Sequence, residues 1–276
     1  MELTFIVWNT NRKALYEEVS DLAFEHQADF IILIENLGVS SQMIDYLEMK
    51  TNNTYLYHKN TLRFENGHLY TKSNFNNIRT LNEHQRYSIK EITLSGETFN
   101  LVIVHLPSKN NWGNSADHDA ICSVLKQDID YFENDNGHQK TIVLGDFNMN
   151  PFENGMINAM GLHSVMDRNI AETKYRKIYD EDYEFLYNPM WSFLGSKGKS
   201  NINGTNYHNT SKYMNYYWNM YDQVLLRPDL LNYFNEDDLE IISKINGIDL
   251  TKTVNNTKRI NTDVSDHLPI KFKLNI

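Results

Sequence analysis

Along this chain, short apolar runs repeatedly stop at a side chain able to do chemistry. Leu3-Thr4-Phe5-Ile6-Val7-Trp8 ends at Asn9, Asp29-Phe30-Ile31-Ile32-Leu33-Ile34 at Glu35, Phe99-Asn100-Leu101-Val102-Ile103-Val104 at His105, and Thr141-Ile142-Val143-Leu144 at Gly145-Asp146. Runs of this length and β-branched content predict buried strands. Residues two apart on an extended segment point to the same side, so Asp146 and Asn148 project together from a strand tip. Gly145 lets the backbone turn closely there, and Pro151 closes the stretch because it cannot join a ladder. An acid and an amide at a strand end suit a hard divalent cation and a phosphate oxygen. Taken alone, the same residues also make an Asx turn. The recurrence of the pattern favours chemistry over coincidence.

Between these runs the spacing predicts a helix from Arg12 to Glu25, with Leu15, Val19, Leu22 and Ala23 on one face, and a second from Ser40 to Lys50. Residues 54–81 read as two strands joined at Asn66-Gly67, and 88–106 as a hairpin across Ser95-Gly96. A helix from Ala116 to Phe132 follows, with Ser115 placed to cap it. Cys122 lies beside its apolar stripe and reads as an inert thiol. A short helix is expected at 154–162, and about 167–220 is an irregular segment rich in Tyr and Asn. Tyr221-Asp222-Gln223-Val224-Leu225-Leu226 is a further strand, and the chain closes on Ser265-Asp266-His267-Leu268-Pro269-Ile270 and a last strand through Leu274. With no repeat and no long linker, 1–276 is expected to form one domain.

Composition narrows the class of function. A net charge of −10 gives no general attraction to a polyanion, so a local basic patch or a bound metal would have to overcome it. The single cysteine excludes an intrachain disulfide and a cysteine-rich zinc site. No apolar stretch is long enough to span a membrane and no basic n-region precedes an apolar run at the start, so a cytoplasmic protein is expected. Gly195-Ser196-Lys197-Gly198-Lys199-Ser200 lacks the Walker spacing, which argues against a nucleotide triphosphatase.

The ordered set Trp8-Asn9, Glu35, Val104-His105-Leu106, Gly145-Asp146-Phe147-Asn148, Tyr221-Asp222 and Ser265-Asp266-His267-Leu268-Pro269 resembles the endonuclease/exonuclease/phosphatase superfamily, which includes deoxyribonuclease I and the sphingomyelinases. The resemblance spans nearly the whole chain, and Gly204-Thr205 looks like the family's substrate-side loop. It implies an α/β (α+β) four-layer sandwich, two facing mixed sheets flanked by helices. Ile34 stands where the family often has Gln, and Met220-Tyr221-Asp222 replaces an Arg-Ile-Asp motif, removing a cation. His105 stands where abasic endonucleases usually have Tyr, which points to the deoxyribonuclease I, sphingomyelinase and tyrosyl-DNA phosphodiesterase side.

The resemblance implies a Mg²⁺-dependent (or Mn²⁺-dependent) phosphoesterase, with Glu35, Asp266 and Asn9 in the metal shell. Asp222 would orient His267, Asp146 and Asn148 would position water and phosphoryl oxygen, and either Asp146 or His267 would be the general base. His105 would contact the phosphate or the leaving oxygen, and Arg86 is a candidate phosphate contact. Nucleic acid is the expected substrate; small or lipid phosphoesters are the alternative, and a non-catalytic binding protein on the same fold is a second. Lys197, Lys199 and Lys212, interleaved with Trp191, Tyr207, Tyr213 and Trp218, offer cations and stacking faces for bases. The same segment equally fits a tyrosine-rich loop packed on the sandwich edge.

Overall fold

The apolar runs assemble into two mixed sheets in the computed structural model, which describes all residues except 62, 110–114, 197, 200, 201 and 212. One sheet has six strands in the order Glu240–Ile241, Ile270–Asn275, Glu2–Asn9, Phe30–Ile34, Gly67–Lys72, Tyr55–His58. The other has seven, in the order Ile78–Glu83, Tyr87–Leu94, Glu97–His105, Thr141–Asp146, Asp222–Leu226, Leu186–Tyr187, Ser164–Val165. Alternation along the central strands divides the core. Leu101, Ile103, Ile142, Leu144 and Val224 face the first sheet, while Val102, Val104, Val143 and Leu225 meet Ile121, Cys122, Leu125 and Ile129 of the Ser115–Asn136 helix. Val19, Leu22, Ala23, Met43 and Leu47, from helices Tyr16–His26 and Ser40–Thr51, cover the first sheet. Helices, sheet, sheet and helix make the expected α/β sandwich.

Register carries the site. Glu97–His105 runs parallel to Thr141–Asp146 with His105 opposite Asp146, and Asp222–Leu226 runs antiparallel with Asp222 opposite the same residue. The parallel step needs a long crossover, which the Ser115–Asn136 helix provides. Gly145 has φ +130, and a Cβ there would lie 2.2 Å from the Val104 carbonyl oxygen. Gly145→Ala is therefore expected to cost about 3 kcal/mol or more, from backbone strain and forced separation of two central strands. Denaturant unfolding checks this.

Local expectations hold unevenly. Ser95 and Gly96 take the two positive-φ positions of a tight hairpin turn, as predicted. The first helix starts at Tyr16 rather than Arg12, because Asn11 and Arg12 adopt φ of 50 and 55. Residues 54–81 hold three strands, and Ile78–Glu83 joins the other sheet. Asn66-Gly67 is not the hairpin tip: fully buried Phe64 lies against Gly67, where a Cβ would sit 2.1 Å from its ring, and pins a longer loop. The 154–162 helix shrinks to Asn154–Ile157, since Gly161 turns back against the Gly155 carbonyl. The capping role of Ser115 lies outside the described residues. Among those residues, no helix is long and apolar enough to cross a membrane.

Two histidines outside the strand-end groups are expected to make the fold acid-sensitive. His163 donates from Nδ1 to the Glu184 carbonyl at 3.1 Å and accepts at Nε2 from Arg176 at 3.0 Å, so only the neutral ring fits. Burial pulls His163 down to about 4, and burial together with Lys90 does the same to His58. Protons then bind the unfolded chain first, so this stability is present above pH 6.5 and is lost as pH falls from 6.5 toward 4. Urea midpoints are expected to drop over that window in wild type, and less in His163→Gln.

Candidate active site

Asp146 sits at the centre, with its carboxylate fixed by the residues just after the strand and by the neighbouring sheet. Oδ1 accepts the Asn148 backbone N–H at 2.8 Å, and Oδ2 accepts from Asn9 Nδ2 at 2.9 Å and Asn148 Nδ2 at 3.3 Å. Asn148 reaches this geometry through φ +51, and its Nδ2 also donates to the Leu106 carbonyl at 2.9 Å. Asn is among the residues that tolerate this region. Asn9 in turn accepts the Asn11 N–H on Oδ1 at 3.0 Å, so its amide orientation is set from both ends.

Asp222 and His267 form a buried pair, Nδ1 to Oδ2, at 2.7 Å. The pair is held from three directions. The Asp222 N–H donates to Thr205 Oγ1, and the Leu268 N–H to the Thr205 carbonyl. Ser265 Oγ donates to the Asn9 carbonyl and accepts the His267 N–H. Trp8 Nε1 donates to the His267 carbonyl at 2.9 Å. Gly204 is needed beside Thr205, because a Cβ would lie 2.5 Å from the Asn219 carbonyl. Burial opposes charge on the ring, but the Asp222 carboxylate outweighs it and lifts His267 to about 10. Burial raises the Asp222 carboxyl in turn, against the pull of His267. With Nδ1 engaged by Asp222, Nε2 is the ring nitrogen left for chemistry.

Glu35 leaves its strand in positive φ, +52, with its N–H on the Asn66 carbonyl and its own carbonyl accepting the Arg12 N–H. Its carboxylate meets His105 Nε2 at 3.1 Å and Arg12 Nε at 3.4 Å. The His105 hydrogen bond outweighs burial and holds the Glu35 carboxyl below the usual range, so it is ionised at neutral pH. His105 Nδ1 is buried without a hydrogen-bond partner among the described residues.

A cleft of about 230 Å³ brings together Asn9, Glu35, Asp146, Asn148, Asp266 and His267. His105 stands behind Glu35, and Asp222 behind His267. Arg86 is not among the lining residues; it lies in the turn before the Tyr87–Leu94 strand, where its carbonyl accepts the His105 N–H. The donor set fits a hard divalent cation: Glu35, an ionised carboxylate, and a second carboxylate, Asp266, line the same cleft. A second cluster, Asp146, Asp222 and His267, brings ligand atoms within 4.8 Å of one another. It fits an ion less well, because Asp222 and His267 are already engaged with each other.

The cleft also contains Asn11, Ser108, Lys109, Asn206 and His208, which the sequence did not mark, and Tyr221 of the Tyr221-Asp222 motif. Lys109 lies 5.5 Å from the Tyr221 ring centroid and pairs with Glu153. Asn206 reaches the wall through a bridge to His267, a contact over 60 positions that leaves no local pattern. Of the proposed stacking segment, Lys197 and Lys212 lie outside the described residues. Lys199 rests over Phe193, and Trp191 packs against Phe152.

The sequence profile of the Endonuclease/Exonuclease/phosphatase family matches residues 6–267. Among curated proteins, none matches by sequence. Several solved structures share the fold. An endonuclease/exonuclease/phosphatase family protein from Bacteroides thetaiotaomicron is similar at 11% identity and TM-score 0.58, covering 99% of this chain and 98% of that one. TDP2 of D. rerio complexed with single strand DNA product gives 16% and 0.55, over 100% and 99%. The human Nocturnin catalytic domain with bound sulfate gives 14% and 0.52, over 99% and 93%.

Proposed function

Because the chain belongs to the endonuclease/exonuclease/phosphatase family of metal-dependent phosphoesterases, we infer that it is a Mg²⁺-dependent nuclease cleaving phosphodiester bonds by in-line attack of water. The observation that carries this reading is the Asp222–His267 pair at 2.7 Å beside Asp146, in the cleft that also holds Glu35 and Asp266. A nucleic-acid substrate is supported by the DNA-bound TDP2 of the same fold.

Glu35, with Asp266 and Asn9, would hold the cation. Bound there, the ion supplies Lewis-acid stabilisation of charge on the phosphoryl oxygens. Asp146, fixed by three donors, orients the attacking water and accepts its proton. His267 keeps its proton at neutral pH through Asp222, and its Nε2 donates to a phosphoryl oxygen as negative charge builds. Asn148 lines the phosphate side, and His105 holds Glu35 in place.

Excess chelator is expected to abolish activity, with Mg²⁺ or Mn²⁺ restoring it; full activity in chelator would remove the metal from the mechanism. The deciding experiment is a substrate screen of the purified protein with Mg²⁺ or Mn²⁺ against single- and double-stranded DNA, RNA, inositol phosphates and sphingomyelin, with Asp146→Ala as control. Turnover confined to the small phosphoesters would overturn the nuclease reading.

A further inference from the structure

In a chain of net charge −10, residues 250–262 hold three cations, Lys252, Lys258 and Arg259, and no acid. Asp249 and Asp263 are the acids that bracket the stretch. It folds as a hairpin, Thr251–Val254 against Thr257–Ile260, with Lys252 opposite Arg259 and Asn255 and Asn256 at the positive-φ turn. Among the described residues none of these three cations is in an ion pair, whereas Lys50, Lys72, Arg79 and Lys140 elsewhere each hold a carboxylate. Lys252 donates to Asn261 Oδ1 at 3.5 Å. The Arg259 guanidinium lies 5.5 Å from the Tyr207 ring centroid, and its Nε is buried without a hydrogen-bond partner among the described residues.

The hairpin adjoins the cleft on two sides. Tyr207 sits between Asn206 and His208, both cleft residues, on a strand paired with Tyr217–Asn219. That pairing sets Trp218 and Tyr217 around Tyr207, at centroid distances of 5.3 and 6.4 Å. Tyr217 is half exposed with φ +62, a conformation that is costly for a bulky side chain. On the other side, Lys13 Nζ donates to the carbonyls of Thr262 and Asp263 at 2.8 and 3.0 Å, tying the foot of the hairpin to the segment that carries Asn11.

We propose that this hairpin and the aromatic ribbon beside it are the track for a single-stranded polynucleotide whose scissile phosphate lies in the cleft. Lys252, Lys258 and Arg259 take successive phosphates, and Tyr217 stacks on an unpaired base. The inference rests on the nuclease reading and deepens it. Exposed ring faces need unpaired bases, which a duplex keeps buried in its own stack. Three unpaired cations supply the local attraction that the chain as a whole lacks.

The test is binding of a labelled single-stranded oligonucleotide to the metal-free protein over a salt series. Neutralising three phosphate contacts lowers the log–log salt slope by about 2, so Lys252→Gln/Lys258→Gln/Arg259→Gln is expected to show that loss of slope and at least about tenfold weaker binding at low salt. Tyr217→Ala is expected to weaken binding by about fivefold or more with the slope unchanged, because stacking releases no counterions. Should the triple variant prove unfolded by thermal melting, the Tyr217→Ala result decides. An unchanged slope in a folded triple variant, or unchanged affinity in Tyr217→Ala, overturns the track. So does loss of phosphatidylserine-vesicle binding in the triple variant with oligonucleotide binding intact. If wild type hydrolyses bis(4-nitrophenyl) phosphate but neither binds nor cleaves the oligonucleotide, the nuclease reading fails and the track with it. If wild type cleaves the oligonucleotide and only the variant predictions fail, the track alone falls.

Discussion

Asp222→Asn is expected to lower kcat by at least about a hundredfold at neutral pH, with KM little changed and the fold intact. Asp222 is fully buried, and packing at this strand is supplied by Val224, Leu225 and Leu226. Its carboxylate makes the 2.7 Å bond to His267 Nδ1. Asparagine keeps the size but can present N–H where Nδ1–H needs an acceptor. That removes the charge that holds the imidazolium, and with the amide oxygen on Nδ1–H a neutral ring has no Nε2 proton to give the phosphoryl oxygen. The equivalent change in the serine-protease triad costs about 10⁴ in rate. His267→Ala should be similarly damaging, and the double variant little worse than the worse single one, because the two act as a unit. Two losses that simply multiply would give Asp222 an independent role. A second readout separates chemistry from structure: the His267 ring titration, held up at about 10 by Asp222, should fall toward ordinary imidazole values in Asp222→Asn.

Glu35→Gln is expected to lower kcat/KM by about 10³, the few kcal/mol that a well-placed metal contributes at the transition state. The substitution should leave folding alone. The positive-φ backbone of Glu35 is held by the Asn66 carbonyl and the Arg12 N–H, neither of which involves the side chain. Gln cannot attract His105 and Arg12 as the carboxylate does, so both side chains lose their anchor as well. Calorimetric titration with Mn²⁺ should show much weaker binding, and raised metal concentration should recover part of the activity. Unchanged metal affinity would move the ion to the Asp146, Asp222 and His267 cluster, whose ligand atoms lie within 4.8 Å.

The sequence by itself determined which strands are buried and which side chain stands at the end of each. Apolar runs such as Ile31–Ile34 and Ile142–Leu144 have one stable placement, between layers, and each stops at a polar residue that stands at the end of its strand. Asn9, Glu35, His105, Asp146 and Asp222 were therefore legible as strand-end groups, and the ordered motifs identified the sandwich. Tight turns such as Ser95-Gly96 were equally legible, because their backbone demands are local.

Tertiary structure decided everything that depends on partners distant in the chain. Asp146 faces His105 and Asp222 because two ladders happen to share one register, and no periodicity within a strand encodes its neighbour's offset. Arg86 falls outside the cleft because it sits in a turn whose direction is set by the strand it precedes. Phe64 lengthens the loop that Asn66-Gly67 marks as a tight turn in the sequence, since burying an aromatic ring outweighs a local turn preference. Lys109 joined the site from a loop and Asn206 from a short strand, whose positions follow from what they pack against. The packing of the cationic hairpin at 251–260 on Tyr207 is likewise a contact between segments some 50 positions apart. Long-range contacts of this kind are set by packing and register, which is why only the folded chain displays them.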